Sequence, residues 1–447
     1  MADERGGRIG VRRRSDDGTA ARRAAFRILE QVREGRPFDA ALEQAVRRLG
    51  EADRRLAHEL AAGVLRRQTA LDGLVSPLVP RGWAKVSPAL QDVLRLGAYQ
   101  LTSLDRVPPH AAVSTSVALA REVANPKAGG FVNAVLRKVA AEPSLFVPVE
   151  ETESVERLAA THSHPVWLVR RWVAHFGDAG AEALLEWNNT RPPLILQPAR
   201  ASYESLEERW RAAGIAVHAA PYGAGLMTDR SRPDELPGFV EGDFLVQDAA
   251  QALVAWYADI PPEVMLVDLC AAPGGKSVSI GRGIHGVVAA EISPRRAARL
   301  AENLRRAGSG REYAVIADAR RPPLRAAAAV LLDAPCLGTG TFARNPDARW
   351  RVTEEALAGL AAQQRELLDA AAAVVAPGGL LVYATCSLEP EENATQVEAF
   401  LGRHPGFRRE PPEDLADALL SNAGDLSIFP HRHRMDGAYA ARLRRVG

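Results

Sequence analysis

The sequence predicts an α/β fold in which a mostly parallel sheet is covered by helices on both faces, preceded by an all-α bundle and a small α/β connector. Up to about residue 141, apolar residues recur every three or four positions, the period of amphipathic helices. From about Gln247, short continuous apolar runs alternate with helical stretches, the pattern of parallel strands buried on both sides. The only three cysteines in 447 residues each follow such a run. Ligands of open α/β sheets gather at the carboxyl ends of the strands, so this placement points to thiols used for chemistry.

At roughly 150 residues per domain, the length suggests about three domains. An apolar fraction of 47% and a charged fraction of 25% are ordinary for a soluble globular chain. Charged residues interrupt every apolar stretch well before about eighteen residues, which excludes a membrane-spanning helix. The arginine-rich N-terminus lacks the apolar core and cleavage site of a secretory signal. An odd number of cysteines without metal-ligand spacing predicts free thiols in a reducing compartment, hence the cytoplasm, and no metal. A net charge of +1 conceals basic clusters at Arg12-Arg13-Arg14, Arg22-Arg23, Arg170-Arg171, Arg295-Arg296 and Arg442-Leu443-Arg444-Arg445. Each alone reads as a solvated face.

Residues 1–20 carry no apolar period and are expected to form a disordered basic arm. Residues 21–145 form the all-α segment. Phe26, Leu29 and Val32 mark one stripe and Leu56, Leu60 and Val64 another, with breaks at Gly50, Pro77 to Gly82, Pro108-Pro109 and Pro126 to Gly130. The acidic, aperiodic stretch from Glu142 to Glu153 reads as a linker. Residues 155–245 form the connector. Helices carry the stripe Trp167, Val169, Trp172 and Val173, and strands at Leu194-Ile195-Leu196 and Ile215-Ala216-Val217 flank a helix from Ser205 to Ala213.

Residues 246–447 form the sheet domain, with buried strands at 264–267, 287–290, 314–316, 330–332 and 380–383. One helix opens with Ser293 as N-cap and Pro294 in its first turn. Another runs from about Glu354 to Val375 and is expected to stop at Pro377-Gly378-Gly379.

Asp268 to Ser277 is a glycine-rich turn between strand and helix. It lacks the G-x-G-x-x-G of a dinucleotide site, and a phosphate-binding P-loop would need glycine where Cys270 stands. Gly274 and Gly275 still admit a ligand close to the backbone, and the helix start favours a carboxylate. Glu291, about twenty residues further on at the end of the next strand, is placed for a ribose hydroxyl pair. Asp318 ends the third strand, in reach of an adenine. Ribose, adenine and an amino-acid carboxylate together describe S-adenosylmethionine.

Three motifs carry a more specific signal. They are Asp268-Leu269-Cys270-Ala271-Ala272-Pro273-Gly274-Gly275-Lys276, Asp333-Ala334-Pro335-Cys336-Leu337-Gly338-Thr339-Gly340, and Thr385-Cys386-Ser387-Leu388 followed by Pro390-Glu391-Glu392-Asn393. They resemble the RNA 5-methylcytosine methyltransferases, and within them the bacterial RsmB (Sun/Fmu) type. Leu94 to Leu101 and Gly130 to Arg137 resemble the NusB-like RNA-binding domain that such enzymes carry. The resemblance covers nearly the whole chain. It implies a Rossmann-like class I methyltransferase domain that uses S-adenosylmethionine to methylate C5 of a cytosine in 16S rRNA; a monomer is expected, although nothing in the sequence reports oligomeric state.

The resemblance makes Cys386 the nucleophile, Cys336 the thiol that assists loss of the C5 proton, and Asp333 the partner of the base N3 and amino group. Lys276 is expected to orient the base or tune a thiol. The cofactor would be lined by Cys270, Ala271, Ala272, Pro273, Gly274, Gly275, Lys276, Glu291, Asp318 and Asp333, with Cys270 a packing residue that contributes its backbone. The chain departs from the family at Gln197-Pro198-Ala199, where Arg-Val-Asn is usual, which puts in doubt any RNA contact there. His431 and His433 have no ligand cluster around them and are expected at the surface or facing RNA.

The residue types suit that chemistry. Cytosine C5 is a poor nucleophile until a thiolate adds at C6, and a thiolate both attacks and leaves readily. The target base must leave its stack to be reached, so the RNA would be single-stranded or the base flipped. The same core would serve a transfer-RNA 5-methylcytosine methyltransferase. A non-catalytic RNA-binding or antitermination factor is opposed by the intact Cys336, Cys386, Asp333 and Lys276. Methylation of a small molecule or protein would leave the bundle and both thiols without a purpose.

Overall fold

The computed structural model describes residues 19–142, 154–230, 232–322 and 324–446. The expected N-terminal arm lies almost wholly outside these residues, as does most of the expected linker. The chain divides into two compact units, Met1–Val166 and Trp167–Gly447.

In the first unit, the described residues form α1 (Thr19–Arg33), α2 (Phe38–Val46), α3 (Glu51–Arg66), α4 (Gln68–Val75), α5 (Pro88–Ser103), α6 (Pro109–Val123), α7 (Ala128–Ala141) and α8 (Ser154–His162). Pro88 and Pro109 open their helices, where a missing N–H costs nothing. Ile28, Leu60, Val64, Leu94 and Leu136 are buried between the helices. The two NusB-like stretches meet in this core. A Cβ on Gly97 of α5 would sit 2.3 Å from a methyl of Leu136 on α7, so only glycine allows the helices to approach this closely. Arg95 is held by Asp72 at 2.7 Å and Asp92 at 3.0 Å, which satisfies a buried guanidinium on two sides. α8 packs beside α4, where the Ala70 amide donates to Ser163 Oγ at 3.0 Å.

The second unit begins in α9 (Val166–Asn188), which bends at Gly177, whose φ of 72° is in the left-handed region. Then come β1 (Leu194–Pro198), α10 (Tyr203–Ala212), β2 (Val217–Ala219), β3 (Leu226–Thr228) and β4 (Phe244–Val246). They form an antiparallel four-stranded sheet of order β2-β3-β1-β4. Trp210, Leu206, Phe244 and Leu226 fill the core beneath α10. β3 and β4, three residues each, carry too short a pattern to be expected from sequence.

The remaining elements are α11 (Ala249–Ala258), β5 (Met265–Leu269), α12 (Gly275–Gly281), β6 (Gly286–Glu291), α13 (Pro294–Ala307), β7 (Glu312–Ile316), β8 (Ala327–Asp333), α14 (Glu354–Val374), β9 (Val375–Thr385), α15 (Ala394–Arg403), β10 (Phe407–Arg409), β11 (Leu426–Ile428), α16 (Pro430–His433) and β12 (Ala438–Arg445). The large sheet has the order β10-β12-β9-β8-β5-β6-β7, with β11 paired to β12. β9, β8, β5, β6 and β7 are mutually parallel, whereas β12 and β10 run antiparallel to their neighbours. The architecture is Rossmann-like, as the strand–helix rhythm predicts, with the antiparallel edge added by the C-terminal strands.

Two local expectations are corrected. The strand at 314–316 is not buried. β7 is the sheet's edge, with no strand beyond it among the described residues, and Tyr313 and Ile316 are 57% and 64% exposed. The helix from Glu354 ends at Val374, before Pro377-Gly378-Gly379, and β9 starts at once at Val375. The Pro-Gly-Gly therefore lies within the strand's first half, and Gly378 has a φ of 73° there. No helix among the described residues is long and apolar enough to cross a membrane.

Candidate active site

The carboxyl ends of β5, β6, β8 and β9 collect the side chains singled out by the motifs. β5 ends in Asp268 and Leu269, after which Cys270 takes a φ of 63° and the chain turns through Gly274, at 102°, into α12. Gly274, at its positive φ, could carry no side chain without strain and a Cβ would lie 2.7 Å from Leu300 Cδ1, while a Cβ on Gly275 would push aside the Gln247 amide at 2.9 Å. Asp268 is buried, and its Oδ2 accepts from Ser277 Oγ. Its Oδ1 has no hydrogen-bond partner among the described residues. Burial pushes this carboxyl up to about 7, against the Ser277 hydrogen bond and with the Asp333 charge. The Cys270 thiol is pushed up to about 12, chiefly by burial and then by Asp333 and Glu291. It packs against the hydrophobic cluster that holds Leu269 and Leu332.

Glu291, at the end of β6, is 1% exposed. Its Oε1 accepts from the Ser293 amide at 3.0 Å, while Oε2 lies 3.3 Å from the Arg296 guanidinium outside hydrogen-bond geometry. Asp318 lies two residues beyond β7, and its carboxylate is engaged by Arg320 at 2.7 Å and by the Arg320 amide at 2.9 Å. The structure thus brings Asp268, Glu291 and the 270–275 turn to one end of the sheet, whereas Asp318 faces a cation of its own loop. Buried carboxylate oxygens with spare acceptor capacity, beside a turn that passes through Gly274 at a positive φ, fit the hydroxyls and amino-acid end of S-adenosylmethionine.

β8 and β9 pair in parallel with Asp333 opposite Ala384, so the loops that follow run side by side. Cys336 Sγ and Cys386 Sγ are 3.3 Å apart, and the Cys386 amide donates to Cys336 Sγ at 3.4 Å. The contact with Cys386, burial, and the charges of Cys386 and Glu392 all push the Cys336 thiol well up. Lys276 Nζ donates to Asp333 Oδ2 at 2.7 Å and to Gln251 Oε1. Burial works against the ammonium, but Asp333, then Cys386 and Asp268, outweigh it and raise its pKa above the ordinary lysine value.

The loops are tied by backbone contacts. The Gly340 amide donates to Cys386 O at 3.0 Å, the Gly437 amide donates to Gly340 O at 2.7 Å, and the Leu388 amide donates to Thr339 Oγ1 at 2.8 Å. Arg344 is flanked by Asp248 and Asp436, at 3.0 Å from the latter, and donates to Pro193 O at 3.1 Å.

Sequence reading missed Gln251, Gln364, Glu392 and the Asp248–Arg344–Asp436 group. Gln251 had a signal, being the only polar residue in the apolar run of α11. Glu392 stood inside a quoted motif without a role. Asp436 pairs with Arg344 across 92 positions, which no local pattern reveals.

His431 and His433 are corrected. His431 packs against Phe176 at 5.1 Å and Phe429 at 6.2 Å, and burial pushes it down to about 4. His433 is buried, with Nδ1 accepting from the Phe429 amide at 2.8 Å. Both are packing residues of the β11–β12 connection. The divergent Gln197 is also structural, since its buried amide donates to Ala224 O at 2.9 Å.

Family models place these features. Residues 257–444 match the 16S rRNA methyltransferase RsmB/F family, residues 19–141 the NusB family, and residues 164–232 the ferredoxin-like domain of the RsmF/B-like methyltransferases. A probable ribosomal RNA small subunit methyltransferase B of Synechocystis sp. is 35% identical over 96% of this chain and 100% of its own length. The ribosomal RNA small subunit methyltransferase B of Sodalis glossinidius is 35% identical over 95% of this chain and 96% of its own. Among solved structures, that of PH0851 superposes with a TM-score of 0.81 at 26% identity, covering 95% of this chain and 98% of its own. A methyltransferase homologue from Pyrococcus horikoshii shares the fold at a TM-score of 0.57 and 22% identity, covering 66% of this chain and all of its own. The chain therefore belongs to the ribosomal RNA small subunit methyltransferase B family, S-adenosylmethionine-dependent RNA methyltransferases with a NusB-like domain ahead of a Rossmann-like one.

Proposed function

We propose that this enzyme methylates C5 of one cytosine in 16S rRNA through a covalent adduct between Cys386 and C6 of the base. The observation that carries the reading is the pair of sulfurs 3.3 Å apart, with the Lys276–Asp333 ion pair at the same strand ends. Cys386 adds to C6 as the thiolate, which breaks the ring's aromaticity and makes C5 enamine-like. Asp333 accepts from the amino group of the base, and the Lys276 ammonium beside it offsets the negative charge that develops on the ring as the thiolate adds. Lys276 fixes the Asp333 carboxylate through Oδ2 and supplies positive potential. S-adenosylmethionine, when bound, supplies the methyl group; the 270–275 turn, Glu291, Asp318 and Asp333 are the residues assigned to hold it. Cys336 then takes the C5 proton, and Cys386 leaves C6 with its bonding electron pair.

Residues 21–145 select the RNA in this reading, and residues 155–245 clamp it near the sheet domain of 246–447. The enzyme acts as a cytoplasmic monomer on an unpaired or flipped cytosine.

The test is methyl transfer from labelled S-adenosylmethionine to protein-free small-subunit rRNA and to tRNA, with Cys336→Ala and Cys386→Ala beside the wild type. Labelled rRNA, an inactive Cys386→Ala and a denaturation-resistant RNA adduct with Cys336→Ala would support every step. Label in tRNA alone would move the substrate. An active Cys386→Ala enzyme would overturn the mechanism.

A further inference from the structure

Glu392 is fully buried, yet no cation meets its carboxylate among the described residues. It accepts from the Leu337 amide at 3.0 and 3.3 Å, from Gln364 Nε2 at 2.9 Å and from the Ser387 side chain, three donors that oppose the upward push of burial on its pKa. Gln364 Nε2 also donates to Pro335 O at 2.9 Å, so the group brackets Cys336 from both neighbouring residues. An uncompensated buried carboxylate is costly. A glutamine would offer these donors one acceptor oxygen where the carboxylate offers two, and only the carboxylate also places a negative charge beside Cys336.

That use lies in the asymmetry of the thiol pair. Two sulfurs 3.3 Å apart cannot both ionise without strong like-charge repulsion. The ammonium of Lys276 acts on Cys386, whereas the carboxylate of Glu392 acts on Cys336. We propose that Glu392 is a positioning residue which keeps the shared proton on Cys336, so that negative charge resides on Cys386 and only one sulfur of the pair is a nucleophile.

The inference rests on the reading of Cys386 as the nucleophile. It also orders the steps. Addition to C6 turns Cys386 into a neutral thioether, which removes the repulsion on Cys336. Cys336 then gives its proton to water and becomes the thiolate that accepts the C5 proton. The titratable groups facing Cys336 are Cys386 after β9, Glu392 in the turn before α15, and the Tyr383 hydroxyl on β9, which donates to Glu392 O at 2.6 Å. From α14 comes only the neutral amide of Gln364. Behind Glu392, Glu389 adds a second negative charge, itself bound by Arg171 at 2.8 Å.

The experiment is alkylation of the full-length protein with iodoacetamide from pH 6 to 10, reading each cysteine by peptide mass spectrometry in wild type, Glu392→Gln and Glu392→Asp. In the wild type, Cys386 is expected to react at lower pH than Cys336. Glu392→Gln should accelerate Cys336 about tenfold at a given pH, equivalent to one unit of pKa, with Cys386 little changed, and Glu392→Asp should restore most of the difference. A Cys336 profile unmoved by Glu392→Gln overturns the proposal, as does acceleration of both thiols together, which a merely loosened loop would give. If Glu392→Gln does not fold, the wild-type order decides, and Cys336 reacting first overturns the proposal. Failure of the wild type to methylate any RNA would sink the catalytic reading while leaving the thiol order measurable.

Discussion

Gly340 is the point at which the geometry of the thiol pair can be disturbed without touching a thiol. A Cβ there would lie 2.6 Å from Gly437 Cα and 2.8 Å from Cys386 O, both backbone atoms that cannot swing aside. Gly340→Ala must therefore separate the loops. Two short backbone hydrogen bonds, to Cys386 O and from the Gly437 amide, are lost or stretched. Each contributes about 1 kcal/mol, and overpacking a tight site adds about 1–3 kcal/mol. A total loss of about 3–5 kcal/mol corresponds to a fall in Tm of about 6–20 °C for a domain of this size. Activity should fall further than stability, because a shift of about 1 Å at the reacting atoms can cost about 10²-fold. Differential scanning calorimetry and single-turnover methyl transfer at a temperature where the variant is folded would measure both. A Tm unchanged from wild type together with full single-turnover activity would refute the reasoning.

Other consequences are more local. Asp268 is expected to hold its proton up to about pH 7 in the folded enzyme, whereas an unfolded aspartate ionises near about 3.9. Between those values the folded state binds more protons, so this group makes stability fall as pH rises from about 4 to about 7 and level off above. Asp268→Asn should flatten that part of the urea-unfolding stability curve, and parallel wild-type and variant curves would count against it. Lys276→Met should lower methyl transfer by about 10²-fold or more, since the Asp333 carboxylate loses its cation; retained kcat would disprove the role. Glu291→Ala should weaken S-adenosylmethionine binding by about tenfold or more in calorimetry, and unchanged affinity would remove Glu291 from the cofactor site. Deleting residues 1–140 should lower RNA affinity while leaving cofactor affinity intact, and unchanged RNA binding would refute that division of labour.

The sequence made the strand ends legible because continuous apolar runs followed by Gly, Pro and Cys are local signals, and Cys270, Cys336 and Cys386 do lie just beyond β5, β8 and β9. Helix breaks in the first unit were legible for the same reason, through Gly50, the stretch from Pro77 to Gly82, and Pro108-Pro109. The histidines misled because a lone His431 gives no hint that Phe176, about 250 residues earlier, will cover it. The exposed edge at β7 was invisible because an edge strand and a central strand can share one apolar composition, and only topology decides which has a neighbour. Glu392 and Asp436 were unreadable in role because their partners lie on other elements. Their meaning comes from what the sheet places opposite them.

The position of β12 has a consequence for the timing of activity during synthesis. It lies in the sheet directly beside β9, yet it is translated after every other strand of that sheet. Gly437, just ahead of it, closes the contact that runs through Gly340 to the Cys386 carbonyl. A nascent chain that has emerged only as far as α15 owns both thiols but lacks the strand that seats them. Such a chain is expected to leave passing RNA unmodified, so the reactive pair is assembled only after the protein's own translation has passed Gly437.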